Sequence, residues 1–104
     1  MKWYHNLYIG KNAKKDKDKL IREINGKTGP VNVYLLTLPV NPQNQLEIIP
    51  ALFFKIRYQE QACPMIVGIA RGRREAEEVL LEIVDDVLEK TGKPDLRSYF
   101  LERS

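Results

Sequence analysis

The chain has 104 residues, 43% apolar and 30% charged, with a net charge of +3 and a single cysteine. That length suits one domain, spanning residues 1–104, with a core of its own, and that balance is the usual one for a soluble globular chain. It excludes an internal disulfide and, since no stretch approaches ~20 apolar residues, a membrane helix. Residues 1–5 lack the apolar run of a secretion signal, so a cytoplasmic location is expected.

The charge is unevenly spread. Residues 1–30 carry eight Lys or Arg against three acids, whereas residues 61–104 carry seven against nine. The first third therefore reads as a positive patch. Such a patch attracts phosphates or nucleic acid, or simply keeps a small protein in solution.

Residues 3–9 (Trp-Tyr-His-Asn-Leu-Tyr-Ile) read as the first strand, ended by Gly10. Leu7 and Ile9 mark its core face. The lysine-rich run that follows leads into a helix, because Ala13, Leu20, Ile21 and Ile24 still form a narrow apolar stripe. Residues 25–30 (Asn-Gly-Lys-Thr-Gly-Pro) stop it and turn the chain. Residues 31–38 form the next strand, nearly all apolar in its second half and so a candidate for the sheet interior. Residues 40–45, holding Asn41 and Pro42, are a loop.

Residues 46–58 admit two readings. Leu52, Phe54, Ile56 and Tyr58 alternate with Phe53, Lys55, Arg57 and Gln59, which favours a strand. Pro50 equally suits the first turn of a helix on which Leu52 and Ile56 fall together. Residues 58–63 then turn into a last buried strand at 65–70. The clearest element follows. Ala76, Val79, Leu80, Ile83, Val84, Val87 and Leu88 recur at steps of three and four, acids fill the other faces, and Gly92 and Pro94 close the helix. Leu96, Tyr99 and Phe100 fold back onto the core.

The expected fold is a small α/β domain in the order β-α-β-β-β-α. Its mixed four-stranded sheet has the first two strands parallel and two main helices cover it. The alternative is a three-layer arrangement with residues 51–59 helical.

Two strand-to-helix turns carry the sharpest functional expectation. The first holds Gly10, Lys11, Asn12, Lys14 and Lys15, and the second holds Gly68, Arg71, Gly72, Arg73 and Arg74. Helix starts present unbonded N–H groups that favour anions, and neighbouring Arg and Lys add charge-assisted bonds. A phosphate-bearing or other anionic ligand fits these residue types. The turns are neither a P-loop nor a dinucleotide fingerprint. The competing reading makes Gly68 a close-packing residue, Gly72 a turn residue and the arginines partners of helix acids four residues on. Nucleic acid is a third use, with Trp3, Tyr4 or Tyr8 stacking on bases if exposed.

No cofactor and no metal are expected, since His5 and Cys63 are the sole residues of their kinds. The carboxylates of the last helix read as solvated surface, and no catalytic residue is assigned. A structural or protein-interaction role without ligand is the remaining alternative. Phe53, Phe54 and Tyr58 near a sheet edge, with Leu81 off the main stripe, point to a homodimer.

Overall fold

The computed structural model describes residues 2–26, 29–39, 41–57 and 64–104. They form β1 (Trp3–Ile9), a 3-10 turn (Lys14–Asp16), α1 (Lys17–Asn25), β2 (Val33–Thr37), β3 (Glu47–Pro50), α2 (Ala51–Arg57), β4 (Ile66–Arg71), α3 (Arg73–Thr91) and α4 (Leu96–Arg103). The result is a small α/β domain with a mixed four-stranded sheet and two main helices. The expected turn at 58–63, with Tyr58 and Cys63, lies outside the described residues. So do Lys27 and Thr28 of the first turn and Val40 of the loop.

The strands lie in the order β1-β4-β2-β3. β4 is parallel to β1 and antiparallel to β2, and β3 closes the sheet antiparallel to β2. This corrects the expected parallel pairing of the first two strands: they are not neighbours, and they run in opposite directions. The reason is burial. Ile66, Val67, Ile69 and Ala70 are all completely buried, so β4 must be covered on both faces and takes an interior place. A one-residue irregularity between Leu36 and Thr37 lets β4 carry one more residue than β2 at that point.

Residues 51–57 are helical, which corrects the strand reading. Pro50 ends a short edge strand, where a missing donor is harmless. From there the chain buries Ala51 and Phe54, three apart, and leaves Leu52, Phe53 and Ile56 in water. The burial period is that of a helix, although the residue types also alternate. The fourth strand comes instead from residues 47–50.

Two cores flank the sheet. On one face Leu20 and Ile24 of α1 and Ala51 and Phe54 of α2 pack on Val33, Leu35, Ile66 and Ile69. On the other, Ala76, Val79, Ile83 and Val87 of α3 and Leu96, Tyr99 and Phe100 of α4 pack on Tyr4, Leu36 and Val67. Helices on both faces match the three-layer alternative. Leu88, which extends the stripe of α3 on paper, is exposed, and so is Leu81. Within one copy Leu81, on α3, lies across the sheet from α2 and Phe53.

α4 has too weak a period to be read from the sequence, but its start is well specified. The Asp95 side chain accepts the Ser98 N–H at 3.1 Å and the Ser98 hydroxyl at 2.8 Å. Those bonds hold the Asp95 carboxyl below the usual range. At the far end the Arg103 guanidinium lies 3.9 Å from the centre of the Tyr99 ring. Tyr99 and Phe100 are docked, as their composition implied.

Candidate functional site

Because β1 and β4 are parallel neighbours, each feeding a turn and then a helix, the two turns open side by side at one end of the sheet. α3 begins at Gly72, whose φ of +88° is a conformation that side chains disfavour. Its N–H donates to the Asn32 carbonyl at 2.8 Å, tying the turn to the loop before β2. Glu75 then falls on the first turn of α3 and points back between the two turns, where it is buried. One carboxylate oxygen accepts the Asn12 N–H at 2.8 Å, and the other accepts the Arg71 N–H at 2.6 Å.

This geometry depends on Gly10. A Cβ there would stand 2.3 Å from a Glu75 carboxylate oxygen, inside any allowed contact. The bare glycine lets the side chain of α3 reach the backbone of the first turn. The Gly10 carbonyl accepts the N–H groups of Ala13 and Lys14, both at 3.0 Å, which closes that turn. Arg71 completes the junction. Its Nη2 donates to Asp16 Oδ2 at 2.9 Å and its Nε to the Asn12 carbonyl at 3.4 Å. The pair is half exposed and contributes at most about 1 kcal/mol; it tethers the start of α1 to the end of β4.

Gly10, Asn12 and Arg71 thus meet at Glu75, with Gly72 at the start of the same helix. Lys11 and Lys14 border a cavity of about 300 Å³ beside Gly10, whose other wall is Glu75, Glu78 and Glu82. Lys15, Arg73 and Arg74 are exposed, and Arg73 lies 3.8 Å from Glu77. Gly68 is elsewhere, inside β4. Its missing side chain accommodates Leu36 Cδ1 and the Tyr8 carbonyl, 3.2 and 3.3 Å from where a Cβ would be.

The carboxylate at the centre of this junction is the residue that the sequence reading placed on the solvated face. The signal was present. Glu75 occupies the third helical position after Gly72, where a Glu reaches back to N–H groups before the helix.

The aromatic side chains of β1 are not arranged as a stacking platform. Tyr4 is buried edge-on against Phe100, with centroids 4.8 Å apart. The Tyr8 hydroxyl donates to Asp86 at 2.8 Å. Burial, and then the adjacent Asp86 carboxylate, push the Tyr8 phenol far above its ordinary value. Trp3 donates from Nε1 to Asn25 Oδ1 at 2.9 Å. Among the described residues no group of three or more His, Cys, Asp or Glu side chains is placed to hold a metal ion. No described helix is long and apolar enough to cross a membrane.

A second surface stands out by its exposure. Val31 and Ile56 are 77% and 79% exposed, Phe53 54% and Leu52 47%. Loop 29–32 is pressed onto the start of α2: a Cβ on Gly29 would lie 2.6 Å from the Leu52 Cα. Between loop and helix is a cavity of about 260 Å³ lined by Val31, Tyr34, Pro50 and Phe53 among others. In comparisons with known proteins, no family model, no curated protein and no solved structure matches this chain.

Proposed function

We propose that this protein is a non-enzymatic interaction domain that pairs with a second copy of itself through the edge formed by β3, α2 and loop 29–32. The observation that carries the reading is the cluster of Val31, Leu52, Phe53 and Ile56, each about half or more exposed. Contiguous apolar patches of a few hundred Å² on small proteins mark contact surfaces. Charge favours a second copy as the partner. Residues 29–34 and 50–54 contain no charged side chain, while Lys55 and Arg57 flank Ile56 and Glu47 lies on β3, so a two-fold axis sets the Val31, Leu52 and Phe53 part of the patch against itself with no like charges within it. A reducing, cytoplasmic setting belongs to the same proposal, since Cys63 has no second cysteine to pair with. Sedimentation over a concentration series tests it. A dimer that Phe53→Glu or Ile56→Glu converts to monomer supports the reading; a monomer at every concentration overturns it.

A second reading keeps an anionic ligand at Gly10, Lys11, Asn12, Lys14, Lys15, Arg71, Gly72, Arg73 and Arg74, without Gly68, which is buried inside β4. Lys11 and Lys14 beside the cavity at Gly10 support it. A ligand using the two N–H groups must displace the Glu75 carboxylate, so Glu75→Gln should bind inorganic phosphate more tightly than the parent chain. Thermal shifts with phosphate and with a nucleoside triphosphate measure this. No shift in either protein removes the reading.

A further inference from the structure

β1 ends the sheet, and no described strand lies beyond it. Its inner side is fixed by two bonds. The Gly10 N–H donates to the Ile69 carbonyl at 2.9 Å, and the Ile66 N–H donates to the Lys2 carbonyl at 2.8 Å. β1 loses register with β4 between Trp3 and Tyr8 and regains it at Tyr8 and Ile9. By the alternation of a parallel ladder beside Gly10, Ile9 turns its N–H and C=O groups outward.

A groove of about 440 Å³ follows residues 6–9 along that edge. α1 packs on one face of the sheet and α3 on the other, so the groove has two walls. One is basic, from Lys14 and Lys17. The other belongs to α3 and carries Glu82 and Asp86, with Lys90 as well. Asp86 holds the Tyr8 hydroxyl and Lys90 lies 3.4 Å from the Tyr99 hydroxyl. Lys14, Lys17 and Glu82 make no ion pair within 4.0 Å among the described residues. Edge strands usually carry charge that discourages pairing. Here the charges stand off the strand, on the helices above and below it.

A strand added to this edge sends successive side chains to opposite faces. Those on the α1 side meet Lys14 and Lys17, and those on the α3 side meet Glu82, with Asp86 held by Tyr8 and Lys90 by the Tyr99 hydroxyl. We infer that the free edge of β1 binds an extended peptide segment in which acidic and basic residues alternate. The outward Ile9 groups supply main-chain bonds, and the two walls read the charge period. This site is separate from the α2 face, and each can fail without the other.

The probe is a capped octapeptide of alternating Glu and Lys, titrated into the full chain at low salt and followed by amide NMR. The expected result is a displaced, exchange-protected amide at Ile9, with about tenfold weaker binding of a peptide having the same composition in two blocks. Lys14→Glu with Lys17→Glu reverses the charge of the α1 wall and leaves Lys90 as the one cation lining the groove among the described residues. Both side chains are exposed, so the variant should keep its fold. It should lose the Glu-Lys peptide by about tenfold and gain one of alternating Thr and Lys. Equal binding of both arrangements, shifts confined to helix surfaces, or no shifts at about 1 mM peptide overturns the inference.

Discussion

The Glu75 junction and the α2 face handle polarity in opposite ways. At the junction a carboxylate is buried with two backbone N–H groups from separate turns, at 2.8 and 2.6 Å. At the α2 face four apolar side chains stand in water, three of them, Val31, Leu52 and Phe53, at the wall of a small cavity. The first arrangement is satisfied within the chain. The second gains by covering its surface. A buried charge with its donors in place rigidifies the elements it joins. An exposed apolar patch joins nothing until a partner arrives.

The sharpest test of that contrast lies inside α2 itself. Phe54 is wholly buried and its neighbour Phe53 is 54% exposed. Phe54→Ala should destabilise by about 3–5 kcal/mol in urea unfolding, whereas Phe53→Ala should change stability by less than about 1 kcal/mol. Similar costs would mean that the helix is rotated from the position described.

Next comes the junction. Glu75→Ala removes both charge-assisted bonds and leaves two donors unpaired, an expected loss of about 2–4 kcal/mol. Gly10→Ala should cost a similar amount by expelling the carboxylate. In a Glu75→Ala background its cost should shrink by at least about 1 kcal/mol, because the obstructed group is gone. Strict additivity in the double-mutant cycle would separate the two residues.

A smaller effect is expected at alkaline pH. Burial and the Asp86 carboxylate keep the Tyr8 phenol protonated in the folded chain, and burial also raises Tyr4. The unfolded chain releases these protons first, at about pH 10. The contribution is therefore complete below about pH 10 and is lost as pH rises beyond it. Tyr8→Phe should flatten that decline in pH-dependent melting; an unchanged slope would assign the decline to other groups. Smallest in stability are Phe53→Glu and Ile56→Glu. Each should fall within about 0.5 kcal/mol of the parent monomer while abolishing self-association.

The helix of residues 73–91 was legible because its apolar positions repeat at 3.6 residues and its end is marked by Gly92, which adopts φ +74°. The first two strands and the first helix were legible for similar reasons. Residues 51–57 were not. Leu52, Phe53, Phe54 and Ile56 are apolar at consecutive or alternating places, so two periods fit the same letters. Which of them is buried depends on the sheet beneath.

The candidate site was half legible. The spacing of glycines and cations located both turns, and their common edge followed once β1 and β4 proved parallel. That Glu75 stands between them was not evident, because its neighbours Glu77 and Glu78 are exposed and the sequence makes the three acids look alike. Local chemistry by itself determined the first two strands, the first helix and the helix of residues 73–91 with its main oily face, since those follow from contacts within a few residues. Tertiary structure decided that β4 parts β1 from β2, and that one glutamate of several closes the junction. Both depend on burial and hydrogen bonds between segments some sixty residues apart, as in the 63 positions between Asn12 and Glu75.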